Sequence, residues 1–291
     1  AKNLKDGKII MLENTRFLKE EEENNENFSK KLASLADLYV NDAFGTAHRA
    51  HASTEGVAHH LPSYAGKLME KEIKALSPLI EKEPGRPLIM ILGGAKIDTK
   101  IGLIKAFMEK SDYMVLGGGL ANTFLAAAGY DVGNSLYEKE KIETAREIML
   151  EFEKNHEKLT LPMDVVAADE ITETAQSIDA PIKDVMGSMR IVDIGKWTAE
   201  KYCNLILECA TVIWNGPMGV YEVSPFKEGT KAIAECIAKH KCDSIIGGGD
   251  TVDAIKKSGI SLEKFTHVST GGGACIEFLK GKTLPGIKVL Q

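Results

Sequence analysis

The chain holds 291 residues, 44% hydrophobic and 27% charged, with a net charge of −6. That balance excludes a disordered, coiled-coil or collagen-like chain, and no apolar run reaches the roughly 18–20 residues of a membrane helix. The acidic surplus argues against nucleic acid as a main partner, while a few local cations would still suffice for a small anion.

Length alone predicts roughly two domains. The chain opens Ala1-Lys2-Asn3, without Met or a signal-peptide apolar region, and runs at once into a strand expected at 8–12. A missing N-terminal piece is therefore expected. A second strand is expected at 37–40, after an acidic stretch at 20–26 that reads as a solvated loop and helix start. Leu68, Met69, Ile73, Leu76, Leu79 and Ile80 repeat at helical spacing, so 64–82 is expected to be a helix joining two domains. Glu83-Pro84-Gly85-Arg86-Pro87 stops it.

Beyond that point, apolar runs at 87–92, 113–116, 211–214, 244–246 and 267–268 each lead into a glycine cluster. A sixth run, 159–167, reads as a strand without glycines. Continuous apolar runs alternating with helical stretches describe a parallel sheet covered on both faces. Right-handed crossovers would bring all five glycine-rich turns to one rim, where open α/β sheets bind ligands. The five cysteines contain no C-x-x-C pair. Cys203 and Cys209, and Cys236 and Cys242, lie in apolar stretches and read as reduced core thiols.

Glycine loops let backbone amides approach an anion at a helix N-terminus, or they simply permit close packing. Five on one rim favour a large anionic ligand such as a nucleotide, with Gly94, Gly118, Gly248 and Gly249 among its contacts. Neither the Walker pattern nor G-x-G-x-x-G is present. Lys96 and Lys100, four apart, are expected on one face of a helix's first turns, where a polyphosphate would offset their repulsion; two solvated lysines are the plainer reading. Asp250 is placed to cap a helix or to hold Mg²⁺ between phosphate oxygens. Glu222, beyond Trp214-Asn215-Gly216-Pro217, is placed to accept from ribose hydroxyls. Arg16 and Arg49 each follow a strand candidate and suit a phosphate or carboxylate. His48, His51, His59 and His60 lack zinc-like partners and read as hydrogen-bonded histidines.

Together these segments resemble the phosphoglycerate kinase family: Leu12 to Phe17, Asn41 to His51, Gly93-Gly94-Ala95-Lys96, Trp214 to Glu222, Gly247 to Thr251, Ser269 to Ala274, and Leu279 to Gly286. The resemblance implies an α/β fold of two Rossmann-like three-layer αβα domains with parallel sheets, closing like a hinge. Residues 1–63 would be the remnant of an incomplete N-terminal substrate domain, 64–82 the interdomain helix, 83–280 the nucleotide-binding domain, and 281–291 a tail packing back on the N-terminal domain. It implies glycolytic phosphoryl transfer between 1,3-bisphosphoglycerate and ADP, with Mg²⁺, in a cytoplasmic monomer with no nucleic-acid or membrane partner. By motif, Arg16 and Arg49 would bind 3-phosphoglycerate, and Lys96 and Gly272 would serve the transferring group. Lys100, Asn215, Asp250 and Thr251 would serve nucleotide phosphates and metal, and Glu222 the ribose. The family's opening third has no counterpart before Ala1, so impaired turnover is expected of this chain alone; the alternative is a non-catalytic adenine-nucleotide-binding module. The segment 185–196 fits the family's Trp-Met-Gly-Leu-Asp-Ile-Gly-Pro stretch poorly, leaving its adenine contacts unassigned.

Overall fold

The structure, a computed structural model, describes residues 4–81, 84–154 and 158–291. Contacts divide the chain into two compact units, one of Ala1–Lys82 with Thr270–Gln291 and one of Glu83–Ser269.

The first unit holds α1 (Lys19–Glu22), α2 (Glu26–Ala33), β1 (Tyr39–Asn41), β2 (Ser63–Ala65), α3 (Lys67–Leu76) and α4 (Pro78–Glu81). The helical spacing at 64–82 is thus realised as α3 and α4, broken before Pro78, whose ring excludes an interior helix position. β1 and β2 pair in parallel. The strand expected at 8–12 is absent: Ile9 and Met11 are each 93% exposed, and the one local backbone bond is a turn from the Lys8 amide to the Lys5 carbonyl. A β-prone segment without a neighbouring strand leaves its backbone groups to water.

The second unit runs β3 (Leu88–Leu92), α5 (Ile101–Phe107), β4 (Tyr113–Leu116), α6 (Gly118–Ala127), α7 (Ile142–Lys154), β5 (Lys158–Thr160), β6 (Asp164–Ala168), β7 (Ser177–Pro181), β8 (Arg190–Ile194), α8 (Lys196–Leu207), β9 (Thr211–Asn215), α9 (Glu228–Lys239), β10 (Asp243–Gly247), α10 (Gly249–Lys257) and β11 (His267–Val268). Six strands form a parallel sheet in the order β11-β10-β9-β3-β4-β5. Every side chain of β3 and β9 is buried, as a sheet covered on both faces requires. The single strand expected at 159–167 is two strands. β5 joins the parallel sheet, whereas β6 pairs antiparallel with β7 and β8 in a separate three-stranded sheet. Leu161-Pro162-Met163 separates them, and Pro162 cannot donate to a ladder.

The chain then returns to the first unit through α11 (Gly273–Leu279) and α12 (Pro285–Lys288). That return begins at Thr270, earlier than the expected residue 281. The buried Glu72 carboxylate of α3 accepts from the Thr270 amide at 2.7 Å and from its hydroxyl at 2.9 Å. Phe44 and Phe278 then meet edge-on, with ring centroids 6.1 Å apart.

Candidate active site

The parallel register puts Leu116, Leu92, Asn215 and Gly247 side by side at the C-terminal ends of β4, β3, β9 and β10. Four glycine-rich turns therefore leave one rim of the second unit, as the sequence pattern predicts. The fifth turn, at 269–273, groups from Thr270 with the first unit.

Their amides are used differently from the expectation. The Gly93 amide donates to the Asn215 carbonyl at 3.0 Å, Gly94 to Pro217 at 2.8 Å, Gly117 to Leu92 at 2.9 Å and Gly118 to Met218 at 2.7 Å. The Gly216 amide donates to the Thr251 hydroxyl at 2.7 Å. A Cβ on Gly93 would fall on the Pro217 carbonyl oxygen, and one on Gly216 on that of Gly93. These glycines let three turns lock together, so the close-packing alternative holds for Gly93, Gly117, Gly118 and Gly216, whereas Gly94, at φ +89°, has open space where a Cβ would sit. α10 is different. Its N-cap Gly248 (φ +97°) has no side chain to offer, and a Cβ on Gly249 would meet open space, leaving the first-turn amides facing out.

Above the locked turns lies a cavity of about 640 Å³. Gly94, Gly118 and Met218 form its floor, and Glu222 and Asp250, both exposed, stand on its lining. Two walls escaped the sequence reading. One is Asn134-Ser135-Leu136, tied to the three-stranded sheet by the Asn134 amide on the Met189 carbonyl (2.8 Å) and the Ile191 amide on the Ser135 hydroxyl (2.8 Å). The other is Arg190 to Asp193 on β8, the segment the family pattern left unassigned. Nothing in the order of the chain announces that an antiparallel hairpin reaches the rim of a parallel sheet. Tyr221 and Asn122 also line the cavity and were not foreseen.

The charged groups separate. α5 begins at Ile101, so Lys100 is its N-cap and Lys96 lies in the preceding loop. The expected shared helix face is therefore not formed. Lys96 is exposed. Lys100 is buried, its ammonium donating to the Asn215 side-chain oxygen and standing 3.4 Å from the Asn215 carbonyl. Thr251 is fully buried, and its hydroxyl donates to the Gly247 carbonyl at 2.9 Å while accepting from Gly216. That hydroxyl braces the rim. Asp193 is buried and accepts from the amides of Gly229 (2.6 Å) and Ile194 (2.9 Å). Burial pushes its carboxyl up to about 8, against the pull of those two amides.

In the first unit, Arg16 lines a cavity of about 370 Å³ with Asn14, Asp42 and His51. It follows no strand, because 8–12 forms none. Arg49 lies outside that lining, its Nε donating to His48 Nε2 at 3.3 Å. Burial, then the Arg49 charge, lowers the His48 imidazole below its ordinary value. Gly272 caps α11 at φ +47°, with open space where a Cβ would sit. Among the described residues no set of three or more His, Cys, Asp or Glu side chains is grouped to hold a metal, and no helix is long and apolar enough to cross a membrane.

The family model for phosphoglycerate kinase matches residues 1–282. The phosphoglycerate kinase of Dictyoglomus turgidum is 53% identical over 99% of this chain and 73% of its own length. That of Pelotomaculum thermopropionicum is 48% identical over 99% and 72%. The chain belongs to the phosphoglycerate kinase family. It is a kinase of glycolysis. Solved phosphoglycerate kinases share the fold. The Coxiella burnetii structure superposes with a TM-score of 0.87 at 44% identity, covering 95% of this chain and 71% of that one. The Pyrococcus horikoshii structure gives 0.86 at 34%, covering 100% and 74%.

Proposed function

We propose that the cavity above the β3, β4 and β9 turns binds ADP or ATP, and that the chain moves a phosphoryl group between 1,3-bisphosphoglycerate and ADP. The observation that carries this is the convergence of four parallel strand ends on a single cavity lined by Glu222 and Asp250. Phosphoryl transfer asks the protein for positioning and positive charge rather than a nucleophilic side chain.

On this reading the base and ribose lie between the Asn134–Leu136 wall and Glu222, whose carboxylate accepts from the ribose hydroxyls. The phosphates run toward the first turn of α10 past Gly248 and Gly249. There the amides of Gly249 to Thr251 and the helix dipole favour negative charge. Lys100, fixed on Asn215, places a positive charge behind the phosphates, and exposed Lys96 is free to swing to the transferring group. A lone exposed Asp250 suits Mg²⁺, which keeps several waters and binds through one or two carboxylates plus substrate phosphates. When bound, the ion neutralises the oxygens between which charge moves. Arg16 and Arg49 hold 3-phosphoglycerate in the first unit, and the Gly272 turn serves the group in transfer. With acceptor and nucleotide on different units, transfer requires the two to close on each other, since reacting atoms must approach within about 3–3.5 Å.

Titration calorimetry of the chain with ADP, with and without Mg²⁺, tests the nucleotide half. Binding that strengthens with Mg²⁺ and loses this gain in Asp250→Asn supports the reading. A variant whose binding still strengthens with Mg²⁺ as much as that of the unaltered chain removes Asp250 from the metal.

A further inference from the structure

The paired cysteines of the sequence play no part in the site above, and four of them collect in one region of the second unit. Cys209 and Cys242 lie just before β9 and β10, at the sheet end opposite the rim, and α8 and α9 carry Cys203 and Cys236. All five cysteines are free thiols. The Cys236 thiol donates to the Cys203 carbonyl at 3.6 Å, and the Cys203 thiol to the Ala232 carbonyl, one turn before Cys236, at 3.8 Å. Each sulfur thus sits against the other's helix, its S–H committed to a carbonyl there. Both residues are only partly buried.

We propose that Cys203 and Cys236 are an oxidisable dithiol that closes to a disulfide between α8 and α9 when the protein meets hydrogen peroxide. The Cys236 thiolate attacks one peroxide oxygen, the O–O bond breaks, and hydroxide leaves, giving a sulfenic acid. The Cys203 thiol gives its proton to that hydroxide, forming the first water. Its sulfur then displaces the sulfenic hydroxyl, which leaves and takes up a proton from solvent as the second water. Two thiols and one peroxide become one disulfide and two waters, each sulfur giving up one electron.

The division of roles follows from the surroundings. The Cys203 thiol, then Lys239 three residues on, holds Cys236 below the ordinary thiol value, while Cys203 is pushed up. Thiolate character and partial exposure select the attacking sulfur. Burial instead raises Cys209 to about 12 and Cys242 to about 11, and Cys275 is buried in the other unit.

The folded chain, freed of reductant, is treated with hydrogen peroxide, alkylated and mapped without reduction. A peptide joining Cys203 to Cys236 as the dominant cross-link is expected, and limited iodoacetamide should label Cys236 about tenfold faster than Cys209. In Cys203→Ser the reaction should stop at a Cys236 sulfenic acid that dimedone traps. No cross-link, a dominant link through Cys242, or a dimedone adduct on another cysteine overturns the proposal. If the serine variant does not fold, the map of the unaltered chain decides alone.

Discussion

Lys100 and Asn215 form a buried polar pair at the C-terminal end of β9, the ammonium donating to the Asn215 side-chain oxygen. An ammonium there is already desolvated, so a phosphate meets it without the cost of drying it first. Lys100→Met should weaken ADP binding roughly tenfold or more, about 1.5–3 kcal/mol for a hydrogen bond to a charged group; calorimetry reads this directly. Asp193 is the second telling residue. Its folded value of about 8 stands above the ordinary 3.8, so the folded state keeps a proton that the unfolded state has released. Stability from this group is therefore full below about pH 4 and declines as pH rises toward 8. Asp193→Asn cannot titrate. Its melting temperature should fall less than that of the unaltered chain between pH 5 and 8, and parallel curves would assign the slope to other groups.

At the scale of elements, three helices borrow their caps. α3, α8 and α9 have Gly66, Gly195 and Lys227 at the N-cap, with no side-chain bond from any of them. Asp42 accepts instead from Leu68 and Met69, Asp164 from Trp197 and Thr198, and Asp193 from Gly229. A Cβ on Gly66 would fall on Asp42, and one on Gly195 on Asp164, so the glycine makes room for the distant carboxylate. Asp164→Ala strips the Trp197 and Thr198 amides of their acceptor, and should cost about 2–3 kcal/mol in urea unfolding. The rim gives a paired test. Gly93→Ala drives a methyl into backbone and should cost about 2–3 kcal/mol, whereas Gly249→Ala enters open space and should stay within about 0.5 kcal/mol. Equal losses would show that the turns are not locked as described.

For the whole molecule, the second unit is continuous in sequence and the first is not. The tail completes the first: the Gly286 amide donates to the Ala47 carbonyl at 2.9 Å, and Asn41 donates to the Gly286 carbonyl at 3.3 Å. Ending the chain at Leu284 should therefore lower hydrogen-exchange protection in β1 and β2 while MgADP affinity stays unchanged. Loss of nucleotide binding in that variant would place part of the nucleotide site outside the second unit.

The strands of the parallel sheet were legible from sequence, because a strand covered on both faces must be largely apolar, and 88–92 or 212–214 cannot be read otherwise. So was the gathering of their turns on one rim, which parallel pairing enforces. The family was legible from motifs such as Asn41 to His51 and Gly247 to Thr251. Three things were settled only by the fold. Residues 8–12 have strand chemistry but no neighbour to pair with, and pairing is not a property of the segment. Gly93 and Gly118 look like anion binders in one dimension, yet their amides are consumed by turns more than 20 residues away. Arg190 to Asp193 reach the cavity through an antiparallel sheet. Hydrophobic periodicity is local and survives in the sequence; the partner of a given amide or carboxylate is a matter of three-dimensional neighbours, and only the folded chain supplies it.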